Sequence, residues 1–262
     1  MFVDNSITKV LYTFEPAQVV DVLGVQVPIL SKDELTNRFI NLLLADTRGW
    51  ITYVNVHAIN LANSIPWFKE FLNKSLITYC DGKGVSYAIK FLYDKSQDQI
   101  ALSDWIYDIC GGLERLGKRV FLLGSTPKVV STAASKLQSL FPQLQIAGSY
   151  HGYFSSIEEN SIVELINLSR ADVLIVGMGM PKQEEWIRQH YNELQVKLIL
   201  NGGSVFDFVA GTKMRCPRWM GNIGLEWLFR LLQEPHRLWK RYLIGNPLFL
   251  WKVFAHRISS NR

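Results

Sequence analysis

Strand-like and helix-like segments alternate through the first 211 residues, and this alternation limits the fold more than any other feature of the sequence. Short runs rich in β-branched and aromatic residues are separated by longer runs in which apolar residues recur every three or four positions. The predicted strands lie at 50–56, 75–79, 119–123, 145–149, 172–176 and 196–200. This pattern is typical of right-handed βαβ units. The sequence therefore predicts an α/β fold, a Rossmann-like and mostly parallel sheet with helices on both faces.

Local signals predict where several elements begin. A small hairpin is expected around Gly24, and Ser31 with Glu34 has the spacing of a capping box that starts a helix. Residues 58–73 have the spacing of one continuous helix. Ser103 is predicted to cap the start of another helix.

Residues 212–262 differ from the rest of the chain in charge. They carry ten Lys or Arg and two Glu, a net charge of +8, whereas residues 1–211 are net −3. Four of the eight tryptophans lie in this segment, at positions 219, 227, 239 and 251. Cationic side chains interleaved with aromatic ones suit a partner that is anionic and partly apolar. We therefore divide the chain into a core, residues 1–211, and a basic, aromatic, helical appendage, residues 212–262.

Composition argues against several classes of protein. Cys80, Cys110 and Cys216 are far apart and odd in number, which disfavours zinc and disulfide frameworks. The first 28 residues lack a basic segment followed by an apolar one, so no signal peptide is expected. No uncharged apolar stretch reaches the length of about 18 residues that spans a bilayer. We expect a cytoplasmic protein that lies on the inner face of the plasma membrane.

Two loops that follow predicted strands carry side chains suited to chemistry. Ligands bind beyond the carboxyl ends of the strands in doubly wound sheets. The first loop holds Asn55 and Asn60, which can hydrogen-bond a sugar or base, or can cap helices. The second holds Asp81 before a Gly-Lys-Gly run, and its carboxylate is either a general base for a sugar hydroxyl or a turn residue. The residues alone leave both choices open.

A third loop joins a buried strand to a helix and contains Gly177, Gly179, Lys182 and Gln183. The N–H groups at the start of a helix suit a phosphate, and the two polar side chains can reach a phosphate or a base edge. The segment matches neither the dinucleotide-binding fingerprint nor the P-loop. The alternative is an ordinary solvated helix start.

A fourth loop contains Gly202 and Gly203, followed by Asp207 between two phenylalanines. The two glycines allow a ligand to approach the backbone closely. Asp207 is either a ligand contact or a buried cap, and the sequence does not separate these two roles.

If the chain transfers a sugar from a sugar nucleotide, arginine and lysine would have to neutralise the charge of the diphosphate that leaves. No Asp-x-Asp motif occurs in the chain, although sugar-nucleotide transferases that use a divalent metal usually hold it with that motif. The sequence predicts no metal site and no cofactor. On a helical wheel, Arg230, Arg237 and Arg241 fall within about 40° of one another. Pro235 is predicted to interrupt that helix, and a solvated basic face is the alternative reading of the stripe.

These motifs together resemble those of the WecG/TagA/CpsF glycosyltransferases, glycosyltransferase family 26. The resemblance runs from about Val22 to Leu250 and keeps both the order and the spacing of the motifs. It rests on the segments at 55–62, 81–85, 121–124, 151–154, 171–184, 202–211 and 224–237.

The resemblance implies a metal-independent, inverting enzyme. Members of the family transfer a hexose or N-acetylhexosamine-type sugar from a UDP-sugar to a sugar on polyprenyl diphosphate. Their products feed cell-surface polymers such as teichoic acid, enterobacterial common antigen and exopolysaccharide. The implied partners are the UDP-sugar donor, the polyprenyl-diphosphate acceptor and an anionic membrane surface, with no nucleic acid. A homo-oligomer is left open.

The resemblance also assigns roles to individual residues. The proposed catalytic base of the family corresponds to Asp81, an asparagine of its first loop to Asn55, and the glutamine of its Pro-Lys-Gln-Glu motif to Gln183. Arginines that are thought to close over the diphosphate correspond to Arg230, Arg237 and, less closely, Arg241. Tyr53 stands where some members have Thr, a difference expected to change contacts with the acceptor.

Two other functions fit parts of the sequence. A nucleic-acid-binding module would use the basic appendage, but it does not need glycine-rich loops at the ends of strands. A non-catalytic sensor of sugar nucleotides would keep those loops without turning over a substrate. The activity of an Asp81→Asn variant distinguishes the sensor from the enzyme.

Overall fold

The structure is a computed structural model that describes residues 16–260, apart from the side chains of Arg218, Asn222 and Ser260. The first fifteen residues, on which part of the signal-peptide expectation rests, lie outside the described residues. The last two residues of the appendage lie outside them as well.

Strands in the described part of the chain form two sheets. The predicted hairpin is present as two antiparallel strands, β1 (Val19–Val22) and β2 (Val25–Pro28). The larger sheet has six parallel strands in the order β4-β3-β8-β7-β5-β6. These are β3 (Gly49–Val54), β4 (Ile77–Cys80), β5 (Arg119–Gly124), β6 (Gln145–Tyr150), β7 (Val173–Gly177) and β8 (Leu198–Asn201).

Helices cover both faces of this sheet and bury its apolar side chains. They are α1 (Lys32–Leu44), α2 (Val56–Ala62), α3 (Pro66–Asn73), α4 (Lys83–Tyr93), α5 (Leu102–Leu116), α6 (Pro127–Leu140), α7 (Glu159–Leu168), α8 (Lys182–His190) and α9 (Val205–Ala210). One apolar cluster joins the sheet to α2, α3, α4, α7 and α8. A second cluster joins it to α1, α5, α6 and α9. The predicted fold class, a parallel α/β sheet covered on both faces, is confirmed.

Several local predictions can be compared with the structure. The capping box at the start of α1 is confirmed, because Ser31 Oγ accepts a hydrogen bond from the Glu34 N–H and Glu34 Oε2 accepts one from the Ser31 N–H. The prediction of one helix over 58–73 is wrong, because two helices, α2 and α3, cover this region. Pro66 begins α3, and the ring of proline forces Ile65 before it into an extended conformation. The predicted cap at Ser103 is also wrong, since Ala101 precedes the helix and supplies no side-chain cap.

The appendage consists of short helices that end in one long helix. These are α10 (Arg218–Asn222), α11 (Glu226–Gln233), α12 (Pro235–Trp239), a π-helical turn (Lys240–Ile244) and α13 (Gly245–Ser260). The predicted interruption at Pro235 is confirmed, because α11 ends two residues before it. Phe249 and Val253 of α13 are buried in the same apolar cluster as α2 and α4. The appendage thus shares a core with the rest of the chain, and its boundary at residue 211 stays a prediction.

The exposed surface of the appendage is rich in large apolar side chains. Examples are Trp219, Leu243, Ile244, Leu250, Trp251 and Phe254, each more than half exposed. Between residues 16 and 260, no helix has the length and hydrophobicity that crossing a membrane requires.

Candidate active site

A cavity of about 410 Å³ lies where the carboxyl ends of the strands meet the appendage. The loops after all six strands of the larger sheet and the start of α5 form the side contributed by the core, and α11, α12 and the π-helical turn contribute the other. The cavity brings together most of the predicted site residues. Those that line it are Asn55, Asp81, Gly177, Gly179, Lys182, Gly202, Gly203, Asp207, Arg230, Arg237 and Arg241.

Asp81 follows β4 directly, and the sheet fixes its position. Its backbone N–H donates a hydrogen bond to the Val54 carbonyl oxygen, 2.8 Å away, which continues the pairing of β3 and β4 by one residue. The next residue, Gly82, has φ +148°, a conformation that side chains other than hydrogen rarely allow. The chain therefore turns sharply after Asp81 and leaves its carboxylate at the mouth of the sheet.

The surroundings of Asp81 favour its protonated form. Burial is the main cause and raises the pKa of the carboxyl to about 7, with a further rise from the carboxylate of Glu226. The guanidinium groups of Arg230 and Arg241 act in the opposite direction and lower this pKa. A carboxyl with a pKa near 7 can take a proton from a substrate and release it again at neutral pH.

Asn55 has both of the roles that the sequence left open. Its side-chain oxygen accepts a hydrogen bond from the Ala58 N–H at 3.0 Å, which caps α2. The same residue lines the cavity close to Asp81, because a Cβ built at Gly82 would lie 3.3 Å from Asn55 Cβ. The cap fixes the amide beside the carboxylate.

The glycine loops leave room for a ligand against their backbone. Gly179 has φ +83°, and no heavy atom lies within 4 Å of where its Cβ would stand. Gly203 has φ +56°, and a Cβ there would approach the Tyr53 hydroxyl oxygen to 2.9 Å. Larger side chains at these positions would strain the backbone and occupy space in or beside the cavity. Tyr53 itself lines this cavity.

Gln183 is fully buried and does not line the cavity. Its side-chain oxygen accepts hydrogen bonds from the backbone N–H groups of Gly179 (3.1 Å) and Gly203 (2.9 Å). Its side-chain nitrogen donates to Glu184 Oε1 at 2.7 Å, and Asn201 donates to the same oxygen at 2.6 Å. Gln183 therefore links the two glycine loops from beneath, whereas the sequence predicted a direct contact with substrate.

Asn60 also lies outside the cavity. Its side-chain nitrogen donates a hydrogen bond to the Gly245 carbonyl oxygen at 2.8 Å, which ties α2 to the first turn of α13. This contact joins the core to the appendage. The structure gives Asn60 a linking contact where the sequence predicted substrate binding.

Lys182 and Asp207 line the cavity and also hold its walls. The Lys182 ammonium donates a hydrogen bond to the Gly152 carbonyl oxygen at 2.9 Å and lies 5.2 Å from the ring centre of Phe154. Asp207 Oδ2 accepts a hydrogen bond from the Ser125 hydroxyl at 3.2 Å. Both side chains join neighbouring loops at the edge of the site.

Two arginines that line the first cavity are ion-paired with glutamates of the appendage. Arg230 contacts Glu226 at 2.5 Å, and Arg237 Nε donates to Glu234 Oε2 at 3.1 Å. Burial lowers the pKa of Arg230, but the nearby carboxylates, led by Glu226, outweigh this and raise it. Arg230 therefore stays cationic although it is only one-third exposed. An anionic ligand in the cavity would find these guanidinium groups charged and already oriented.

A second cavity, of about 250 Å³, lies on the other side of Asp81. Asn55, Asp81, Arg230, Arg241 and Tyr242 line both cavities, so the two spaces meet at these residues. The remaining walls of the second cavity come from the starts of α2 and α4, from α11 and α13, and from Gln99 and Gly224.

His57 lines the second cavity but is not suited to carry charge there. Burial, with a contribution from Arg241, lowers its pKa to about 4. His57 is therefore neutral at pH 7. Asp81, and not His57, lies at the meeting point of the two cavities.

Sequence reasoning missed several residues of the site. Lys213 and Tyr242 of the appendage line the first cavity, and Lys83 and Glu226 line the second. Lys83 lies within the same short run as Asp81, so that run was the signal for it. The positions of Tyr242 and Lys213 depend on how the appendage folds back, and no local pattern predicts that.

No group of three or more His, Cys, Asp and Glu side chains within residues 16–260 is arranged to hold a metal ion. The cations that line the first cavity are lysine and arginine side chains.

Comparison with known proteins gives one family match. The model of the glycosyl transferase WecG/TagA/CpsF family matches residues 20–262. This match spans the six-stranded sheet, both cavities and the whole appendage.

Similar proteins include three from Staphylococcus aureus, of strains MW2, NCTC 8325 / PS 47 and MRSA252. Each is 32% identical to the chain over 207 residues, which cover 78% of this chain and 79% of the relative. Each is named N-acetylglucosaminyldiphosphoundecaprenol N-acetyl-beta-D-mannosaminyltransferase.

Proposed function

Because the chain belongs to the WecG/TagA/CpsF family of glycosyl transferases, we propose that it moves a hexose or N-acetylhexosamine-type sugar from a UDP-sugar to a sugar on polyprenyl diphosphate. That it is a glycosyltransferase follows from the family and its relatives. The donor and the acceptor are the proposal. Family membership favours this function over a nucleic-acid-binding module and over a non-catalytic sensor.

One observation carries the proposal. Two cavities meet at a carboxyl group with a pKa of about 7, and arginines stand beside it. This arrangement suits a transferase, because the donor and the acceptor need separate spaces that meet at one reaction centre. A sensor of one nucleotide needs only one of the two spaces.

The donor fits the first cavity. The glycine loops after β7 and β8 expose backbone at the carboxyl edge of the sheet, where doubly wound folds bind nucleotides. Lys182, Lys213 and the arginines of the appendage supply positive charge around the same space. The diphosphate of a UDP-sugar would lie between these cations and the glycine loops.

The acceptor fits the second cavity, with its sugar hydroxyl beside Asp81. The carboxylate takes the hydroxyl proton as the oxygen attacks the anomeric carbon of the donor sugar. The bond between that carbon and the diphosphate oxygen breaks, and UDP leaves with the electron pair. Arg230, Arg237 and Arg241 would stabilise the negative charge that develops on the leaving diphosphate.

Arginine in this role supports a reaction that does not depend on a divalent metal. The three guanidinium groups approach the first cavity from two helices and the π-helical turn. Preorganised cations of this kind stabilise developing charge without a metal. Metal independence is part of the proposal, and chelation tests it.

The membrane is the source of the acceptor. The appendage carries a net charge of +8 and exposes large apolar side chains. This combination favours adsorption to anionic lipid on the inner face of the plasma membrane, where a polyprenyl diphosphate is held. The named S. aureus relatives use an undecaprenol-linked N-acetylglucosamine, so this acceptor is the first to test.

A transfer assay tests the proposal directly. A panel of UDP-sugars is incubated with an N-acetylglucosaminyl polyprenyl diphosphate of short chain, and the glycosylated lipid and free UDP are measured together. We expect one UDP-sugar to give both products in equal amounts. The same rate is expected after addition of EDTA.

Three results would contradict parts of the proposal. UDP release without a glycosylated lipid would indicate hydrolysis and overturn the assigned acceptor. Loss of transfer with EDTA that Mg²⁺ or Mn²⁺ restores would overturn metal independence. No product from any UDP-sugar would overturn the assigned donor class.

A further inference from the structure

The second cavity changes from charged to apolar along its length. Its inner end holds Asp81, Arg230 and Arg241, which it shares with the first cavity. Tyr87 and Leu250 line its outer part, and Trp227 lies deeper, with its ring centre 6.1 Å from that of Tyr242, which lines both cavities. Of its lining residues, each of which is described, Tyr87 (55% exposed) and Leu250 (61% exposed) are the most exposed, and the others are half-buried or buried. These two side chains therefore mark the opening, between α4 and α13.

One cation belongs to this cavity and not to the first. Lys83 is the first residue of α4 and lines the second cavity, two residues after Asp81. Among the described residues, it is the one Lys or Arg that lines the second cavity alone, since Arg230 and Arg241 line both. A second anionic group, separate from the donor diphosphate, would be matched by this charge.

The apolar opening is continuous with the exposed surface of the appendage. Leu250 lines the cavity and is followed on α13 by Trp251 (68% exposed) and Phe254 (52% exposed). A ligand that leaves the cavity past Leu250 therefore reaches an apolar surface. The lining of the second cavity therefore runs from the carboxyl of Asp81, past the ammonium of Lys83, to the apolar side chains at the opening.

We propose that the second cavity is a fixed path for the lipid part of the acceptor. The diphosphate of the acceptor lies against Lys83, and the first isoprene units leave between Tyr87 and Leu250 with Trp227 beneath them. This inference rests on the proposed function and specifies it further, because it assigns the residues that recognise the lipid. The order of charge and apolarity along the cavity matches the order of sugar, diphosphate and isoprenyl chain in such an acceptor.

The path predicts that the affinity of the enzyme for its acceptor depends on the lipid chain as well as on the sugar. Two acceptors test this, both N-acetylglucosaminyl diphosphates, one bearing a farnesyl chain and the other a methyl group. The variants Tyr87→Ser and Leu250→Ser each remove an apolar contact at the opening. The matched control is Phe91→Ser, since Phe91 is a similarly exposed aromatic one turn further along α4 that does not line the cavity.

The expected result is a change confined to the lipid acceptor. Tyr87→Ser and Leu250→Ser should each raise KM for the farnesyl acceptor by about tenfold, the effect of losing one buried apolar contact. KM for the methyl acceptor and for the donor should stay unchanged, and Phe91→Ser should alter none of these values. Lys83→Ala should raise KM for both acceptors equally, because both contain the diphosphate.

Other outcomes overturn the inference in distinct ways. If Tyr87→Ser and Leu250→Ser leave KM for the farnesyl acceptor unchanged, the lipid does not follow this path. If they raise KM for both acceptors equally, the opening has only a structural role. If the unmodified protein uses neither acceptor with any UDP-sugar, the proposed function itself fails.

Discussion

At Asp81, the proposed function and the stability of the fold favour different side chains. Burial holds its pKa at about 7, far above the value of about 4 for an exposed aspartate. The folded protein therefore keeps a carboxyl that is costly to ionise at the place where the proposed mechanism needs a base. When it is ionised, such a group lowers the free energy of unfolding.

Replacing the Asp81 carboxyl with the neutral, equally sized amide of Asn should separate its effect on turnover from its effect on stability. We expect Asp81→Asn to lower kcat by about 100- to 10,000-fold, the usual loss when a general base is removed. Binding of UDP, measured by calorimetry, should change little, because the glycine loops and arginines remain in place. Turnover close to that of the unmodified protein would remove Asp81 from the mechanism.

The same variant should be more stable, and the pH dependence gives the sign. Because the folded pKa lies above the unfolded value, the folded state binds more protons between about pH 4 and pH 7. The ionised carboxyl therefore lowers the free energy of unfolding as pH rises through this window. We expect the Tm of Asp81→Asn to exceed that of the unmodified protein at pH 8 and to match it at pH 4. A lower Tm at pH 8 would contradict the burial of the charge.

The sequence predicted single residues well where the backbone alone fixes their position. Asp81 comes directly after a strand, so its place at the carboxyl edge of the sheet follows from topology. The contacts of Gln183 and Asn60 were harder to predict, because the residues to which they hydrogen-bond lie far away in the chain. Gln183 hydrogen-bonds to Gly203 and Asn60 hydrogen-bonds to Gly245, and no local sequence pattern indicates either contact.

At the scale of elements, the appendage supplies most of the positive charge that lines the first cavity. Arg230 lies on α11, Arg237 on α12 and Arg241 on the π-helical turn. The break at Pro235 does not separate them, because all three still line one cavity. Glu226 and Glu234 pair with two of them and keep the guanidinium groups oriented.

Substitutions in the appendage should distinguish charge in the cavity from charge on the surface. We expect Arg230→Ala and Arg237→Ala each to lower kcat by about 100- to 1,000-fold, since preorganised donors to a leaving group have effects of this size. The control is Lys240→Ala, which removes one positive charge from the same segment at an exposed residue that lines neither cavity. It should keep kcat within about threefold, and all three variants should bind anionic vesicles similarly.

The opposite pattern would contradict this assignment. If the two arginine variants kept their turnover and lost only vesicle binding, the appendage would act as an anchor. Equal losses in all three variants would mean that net charge, and not position in the cavity, governs the rate.

Helix boundaries that depend on a single residue were predicted only in part. Proline ended or began helices at Pro235 and Pro66, although only the first was anticipated. The periodicity of residues 58–73 continues across the break at Pro66, which is why it indicated one helix. Ser103 had the right residue type for a cap, but α5 begins one residue earlier, at Leu102, so Ser103 lies inside it.

At the scale of the molecule, the charge is segregated by segment. The core is net −3 and the appendage +8, so the protein presents its positive charge together with its exposed apolar side chains. The composition of the appendage predicted this association. How the appendage folds back over Asp81 could not be predicted, because the buried contacts of Phe249 and Val253 join segments nearly 200 residues apart.

This distribution predicts binding to anionic membranes through α13. We expect the protein to bind vesicles that contain anionic lipid more tightly than neutral vesicles, and we expect added salt to weaken that binding. Trp251→Glu should weaken it by about tenfold or more, because it removes an aromatic side chain from the apolar surface and adds a repelled charge. The matched control is Leu168→Glu, which makes the same change in charge at an exposed apolar residue of α7.

Vesicle sedimentation measures the partitioning, and a transfer assay with the methyl acceptor checks that the site is intact. Trp251→Glu should lose binding and keep its turnover in that assay, whereas Leu168→Glu should keep both. Equal binding by the two variants would show that α13 does not contact the membrane, and salt-independent binding would show that the charge of the appendage has no part in it. If only Trp251→Glu is affected, the surface that carries the protein to the membrane is the one on which the proposed lipid path opens.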